Sequence, residues 1–530
     1  MLKLRSRLVV TVIAGALLAS TAALAETPAN TLVIAKNIDD MISLDPAEAY
    51  ELTGIEIDAN IYDRIIRIDA KDPTKIVPGV AESWTTSADG KTVTFKLQQG
   101  LKFASGAPVT AEDAAFSLQR VIKLDKTPAF LISQLGWTKD NVDSMVKAVD
   151  PSTLQITIGP NFSPSLVLSL MSSIVGSVVE KAVVTQHDEG GDLGNAWLKA
   201  HSAGGGAYSL KAWKANESVV LEANPTYREG APALARVVVR HVPEAAAQRL
   251  LIEKGDADIA RDLTPDQVAG LAGNKDVAIT VSPQATLHYV GLNLAFKPFQ
   301  DVKVRQAMHY LVDYDGMVNS FLKGQDQVHQ TFWPTGFWAA LNENQYSFDP
   351  DKAKKLLAEA GLPDGFEVTL DASNSSPYIN IAQSIQASMA KGGIKVSIIP
   401  GEQKAVITKY RAHQHQMLLI YWGPDYMDPH TNADSFARNT DNSDNPATKP
   451  LAWRNSWLIP EISKLTQAAV EEQDLAKREQ DYKDLQKKVA DEGPFIIMFQ
   501  DIKQMASRSN VKNFLLGPSA DVVLYGLTTK

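Results

Sequence analysis

Hydrophobic and polar positions change period repeatedly along the chain, and each change marks an element. Thr31-Leu32-Val33-Ile34-Ala35 is a short β-rich run, and Leu44-Asp45-Pro46 leaves regular structure at the proline. From Ile55 to Ile66, apolar residues at helical spacing (Ile57, Ile61, Ile65, Ile66) predict a helix packed on that opening strand. Trp84 to Leu97 reads as a hairpin turning at Ala88-Asp89-Gly90, with Val93, Phe95 and Leu97 facing inward. Thr110 and Asp113 predict a capped helix over Ala111 to Val121, and Leu154 to Ile158 alternates as a further strand. Together these form a small α+β unit.

Gly204-Gly205-Gly206 lacks the lysine and Ser/Thr of a phosphate-binding loop, so it reads as a turn into the strand Tyr208 to Trp213. Arg236 to Val242 is β-rich, and Ala245 to Glu253 is helical up to Gly255. Beyond Leu287 come a strand at Tyr289 to Asn293, a helix at Val304 to Val312, and a helix at Asp351 to Ala360 opened by Asp349-Pro350 and closed by Gly361. Phe366 to Leu370, Ile379 to Lys391 and Ile394 to Ile399 then give strand, helix and strand, the order of a parallel αβ sheet. Ile462 to Val489 predicts long amphipathic surface helices, and Phe495 to Phe499 a buried strand.

One stretch joins pattern to chemistry. Met417-Leu418-Leu419-Ile420-Tyr421-Trp422 is an apolar strand ended by Gly423-Pro424, so Asp425 stands where a rigid strand gives way to a loop. In a parallel αβ sheet that is where ligands bind. An acid among Tyr421, Trp422 and Tyr426 is costly to bury without a cation or several donors. The pattern admits two readings: an anchor for a cationic ligand group, or a capping aspartate beside core aromatics.

Composition narrows the setting. The 530 residues exceed one ordinary core, so two or three domains are expected. Lys3, Arg5 and Arg7, an apolar run from Leu8 to Ala19, and Ala23-Leu24-Ala25 predict a secretory signal peptide over residues 1–25. No later stretch reaches about 18 uncharged apolar residues, so the mature chain is not expected to be an integral membrane protein. With no cysteine, disulfides, thiolate metal sites and a cysteine nucleophile are excluded. A Gram-negative periplasm fits. Losing the three basic residues of the leader takes the net charge from −9 to −12, which argues against nucleic acid as a partner.

The order of features resembles the family 5 extracytoplasmic solute-binding proteins, which feed peptide and nickel ABC importers. The resemblance is carried by Pro78 to Trp84, Asp89 to Phe95, Gly100-Leu101-Lys102-Phe103, Pro108 to Asp113, Gly206-Ala207-Tyr208, Val304 to Ala307, the Asp349-Pro350 helix, and Trp422 with Asp425-Tyr426 and Asp428-Pro429. It implies an α/β, periplasmic-binding-protein-like fold with two hinged αβ lobes and an inserted third α+β lobe. The expected boundaries are 26–69, 203–286 and 498–530 for the first lobe, 70–202 for the insertion and 287–497 for the third lobe. Hinges are expected near Pro283 to Leu287 and Ile497 to Ile502.

The resemblance also implies that Asp425 pairs with a peptide's α-ammonium. Trp422, Tyr426, Tyr421, Tyr378 and Asp428 are the other candidate ligand residues, Asp428 alternatively bracing the loop. Contacts from Leu44 to Tyr50 are expected without an assigned residue. An arginine that clamps the ligand carboxylate in dipeptide-binding relatives corresponds to Ser376 here, which favours longer peptides or other amine-bearing solutes. The expected protein is a monomeric periplasmic receptor without a cofactor or bound metal, delivering ligand to an inner-membrane ABC permease. Rival readings are an opine or polyamine-conjugate binder, a nickel-chelate binder using His413, His415 or His430, and a secreted hydrolase. The hydrolase lacks both a Gly-x-Ser-x-Gly elbow and a His-Glu-x-x-His helix.

Overall fold

The computed structural model describes residues 27–530 apart from 445 and 447, so the predicted leader over 1–25 lies outside the described residues. Its spine is a pair of unusually long antiparallel strands, Val277–Leu292 and Phe495–Arg508, which pair along nearly their whole length. They sit in the middle of an 11-stranded sheet. On one side follow Ile259–Ala260, Thr31–Lys36, Arg236–His241, Ser218–Ala223 and Tyr208–Lys214; on the other, Met417–Trp422, Glu367–Ser373 and Lys395–Gly401. The short strand Tyr289 to Asn293 predicted from sequence is therefore the end of a 16-residue strand. Its register shifts between Pro283 and Leu287 and again between His288 and Tyr289, so the strand bends where a hinge was expected.

Each half of this sheet has its own core. Around the opening strand, Leu32, Ile34, Ile57, Ile61, Val237 and Tyr525 are buried together, so the helix packs on that strand as expected, but it runs Leu52–Ile61 and not to Ile66: Ile66 opens the strand Ile66–Ile68, and Ile65 and Ile66 are buried in the core of the α+β unit. The glycine run is structural: a Cβ on Gly206 would lie 2.6 Å from the Asn60 carbonyl oxygen and 2.5 Å from the Ile61 carbonyl carbon. Only a bare backbone can pass the helix end there. In the other half, Val290, Leu311, Leu370, Ile385 and Met417 form the centre, with the parallel pairing of Glu367–Ser373 on Lys395–Gly401 that the strand, helix, strand order predicts.

The α+β unit stands apart as a four-stranded antiparallel sheet. Val93 and Phe95 are fully buried and Leu97 nearly so, as their alternation requires. Its helix runs Ala111–Leu124 behind a complete capping box: Thr110 Oγ1 accepts from the Asp113 amide at 3.4 Å, and Asp113 Oδ2 accepts from the Thr110 amide at 2.9 Å. The two surface helices run Pro460–Glu471 and Leu475–Glu492.

Candidate functional site

The strand Met417–Trp422 is held on both edges, parallel to Glu367–Ser373 and antiparallel to Leu287–Leu292. Met417, Leu418, Leu419 and Ile420 are buried between those neighbours. Two-sided burial explains the continuous apolar run, and Gly423-Pro424 ends it. Asp425 thus leaves the sheet on a rigid base.

Asp425 is half-buried and has only neutral partners. Tyr50 donates its hydroxyl to Oδ1 at 2.5 Å. Thr431 donates to Oδ2 at 3.4 Å and accepts from the Asp425 amide at 3.2 Å. Among the described residues no lysine, arginine or histidine pairs with it. Burial raises its carboxyl above the ordinary aspartate range, and the hydroxyls of Tyr50 and Thr431 offset this only in part. The Tyr50 phenol is pushed up in turn, by its own burial and by the facing carboxylate. Such a group stabilises an incoming cation without having to break an internal ion pair.

The other predicted residues divide. Tyr421 is 44% exposed, and its ring lies 6.3 Å from that of Tyr378, the first residue of the helix Tyr378–Ala390. Tyr378 is half-buried, so Tyr421 presents the open face of this pair. Trp422 is half-buried, packs edge-on against Phe436 and donates its indole N–H to Asn432 Oδ1 at 3.0 Å, so one face is committed to the core. Tyr426 is 5% exposed and joins the apolar cluster of Leu166, Leu170 and Val470, which corrects its expected place in a pocket wall. Ser376 is exposed.

For Asp428 the structure shows the second of its two readings, a brace of the loop. Its two oxygens accept from Arg478 Nη1 and Nη2 at 2.8 Å each, both side chains are fully buried, and Oδ1 also takes the His430 amide at 2.9 Å. Asp428 and Pro429 lead directly into the helix His430–Phe436. The brace fixes the helix that carries Thr431, and through it Asp425.

The histidines do not assemble. His413 and His415 precede the strand rather than lying on it: Ala412 and His413 form the turn after the helix Gln403–Arg411, with His413 at φ 58°. Asn293 Nδ2 binds both of their carbonyl oxygens. Burial pushes His415 and His430 down to about 4, which keeps them neutral.

Tyr50 lies at the edge of the Leu44 to Tyr50 stretch expected to reach the site, but it was not singled out, and Thr431 escaped the sequence reading altogether. Tyr50 lies 375 positions from Asp425, and no local pattern joins them. Thr431 was within reach, because a helix start at Asp428-Pro429 puts the next residues beside the loop.

A sequence model of the bacterial extracellular solute-binding proteins, family 5 Middle, matches residues 75–444. The chain belongs to that family. This family 5 protein is 29% identical over 503 residues to the probable D,D-dipeptide-binding periplasmic protein DdpA of Escherichia coli K12, covering 94% of each. It is 27% identical over 487 residues to the dipeptide-binding protein of the same organism, covering 88% of this chain and 89% of the relative. The solved structure of HbpA2 from Haemophilus parasuis superposes with a TM-score of 0.79 at 23% identity, over 94% of this chain and 98% of that one. The fold is that of the periplasmic binding proteins. No described helix of the family 5 protein is long and apolar enough to cross a membrane.

Proposed function

We propose that this protein is the periplasmic substrate-binding component of an ABC importer, capturing peptides through their α-ammonium at Asp425. The observation that carries the reading is a half-buried carboxylate just past the end of the strand Met417–Trp422, with hydroxyl partners only. An ammonium there gains a charge-assisted hydrogen bond in a site shielded from water, and the fold has already met the cost of burying the acid. Relatives named as D,D-dipeptide- and dipeptide-binding proteins support a peptide over other solutes. In this reading 26–69, 203–286 and 498–530 form the first lobe, 70–202 is inserted into it, and 287–497 closes against it about the two long strands. The protein is a receptor and not an enzyme, acts as a monomer and hands its ligand to an inner-membrane permease.

Exposed Ser376 presents no charge to a carboxyl terminus, so oligopeptides are preferred over strict dipeptides. Asp425 recognises an amine rather than a peptide bond, so an opine or polyamine conjugate is the alternative ligand class. Native mass spectrometry of the purified protein tests this directly. A retained peptide supports the reading, a retained opine replaces it, and a ligand without an amine rejects it. Calorimetry with a peptide and its N-acetylated form adds a second arm, in which acetylation is expected to abolish detectable binding.

A further inference from the structure

Away from Asp425, three strands bring one imidazole and two carboxylates together. His288 comes from Val277–Leu292, Asp501 from Phe495–Arg508 and Asp326 from the short strand Asp326–Val328. Pairing dictates the meeting: Asp326 lies directly opposite Asp501, and His288 opposite Phe499, two residues from Asp501 on the same face. His288 Nε2 is 2.5 Å from Asp501 Oδ1 and 3.4 Å from Asp326 Oδ1. One donor atom from each residue falls within 4.8 Å of the other two.

Electrostatically the cluster is incomplete. Like charges directly across a strand pair repel, and the Asp326 side chain is only 2% exposed while that of Asp501 is partly buried. A protonated imidazole offsets one of two negative charges. Lys503 acts on His288 and Asp326 at longer range, and the Tyr378 ring 5.6 Å from His288 brings no charge. Asp326 Oδ1 is buried without a hydrogen-bond partner, and so is His288 Nδ1.

We infer that His288, Asp326 and Asp501 form a binding site for a divalent transition-metal ion, at the bend of the two long strands that join the halves of the sheet. The donor set, one nitrogen and two oxygens without sulfur, suits Zn²⁺ or Mn²⁺. A divalent ion neutralises both carboxylates and gives Asp326 Oδ1 a closer partner than the imidazole nitrogen 3.4 Å away. Donors sharing one tetrahedral ion stand about 3.3 Å apart, so Asp501 needs to move by about 1 Å. It is free to do so, being the most exposed of the three at 24%. Three protein donors leave a further coordination position. Tyr421 lies directly opposite His288 across the strand pair, so the site borders the pair formed by exposed Tyr421 and half-buried Tyr378.

The test is calorimetric titration of chelator-treated protein with ZnCl₂ and with MnCl₂, metal alone and no organic ligand. One equivalent should bind with micromolar or tighter affinity for at least one metal. His288→Ala and Asp326→Asn should each weaken that binding at least tenfold, with circular dichroism confirming that the variants fold. Asp501→Asn, at the most exposed position, serves if either of the others does not. Absence of binding by the unaltered protein, or binding that survives these substitutions, overturns the assignment. Neither outcome bears on amine binding at Asp425, which is measured without metal.

Discussion

Replacing Arg478 by Met separates two roles that Asp428 could have, because it removes the brace and keeps the apolar stem. In the native protein the guanidinium is fully buried, holds both Asp428 oxygens at 2.8 Å and reaches Ser165 Oγ at 3.0 Å. The variant leaves the Asp428 carboxylate buried, with the His430 amide as its remaining donor. Breaking one partner of a buried pair costs about 3–5 kcal/mol, well above the 0–1 kcal/mol of a surface pair. For a cooperative unit of roughly 200 residues this lowers the melting temperature by on the order of 6–20 °C. Differential scanning calorimetry reads the shift. Adding Asp428→Leu to Arg478→Met should recover much of the loss, because no unpaired charge then remains. A melting temperature within about 1 °C of the native value in Arg478→Met would refute the reasoning. So would Asp428→Asn that loses amine ligand while its melting temperature stays native, since Asp428 would then be reading ligand.

Two further predictions concern the first half of the sheet. Burial alone would raise Glu56, but Arg261 and Lys36 outweigh it and hold the carboxyl near about 2, with Lys36 Nζ at 2.5 Å and Arg261 Nη1 at 2.7 Å. A depressed acid stabilises the fold fully above its unfolded value near 4.5 and loses that contribution as pH falls toward 2. Denaturant titrations should therefore lose about 3 kcal/mol over that window, and a pH-independent stability there would contradict the pairing. Gly206→Ala drives a methyl into the Asn60 and Ile61 carbonyl groups and should destabilise by about 1–3 kcal/mol in urea unfolding; a neutral result would mean that the helix end yields.

The fold was legible wherever one local rule decided an element. The Thr110 box, the inward alternation of Val93, Phe95 and Leu97, and the Asp349 cap each depend on residues a few positions apart, and each forms as predicted. Long-range consequences were not legible. The extension of Tyr289–Asn293 back to Val277 depends on pairing with a strand more than 200 positions away. His413 and His415 have strand-like spacing, but the preceding helix Gln403–Arg411 ends in a turn that takes them off the strand. At the site, Asp425 was legible because Gly423-Pro424 must end its strand. Between ligand contact and structural role, Asp428 and Tyr426 were not decidable from sequence, because Arg478 and the Leu166 cluster reach them from distant segments.

The central claim is that Asp425 neutralises an ammonium group, and isothermal calorimetry of Asp425→Asn with an amine-bearing peptide that the native protein binds tests it most directly. The substitution keeps size and the Tyr50 and Thr431 neighbours but removes the charge. Leaving the ammonium buried and unpaired costs roughly 2–5 kcal/mol, so the dissociation constant should rise about 30-fold or more. An affinity unchanged within about twofold, in a variant that melts as the native protein does, would contradict the account.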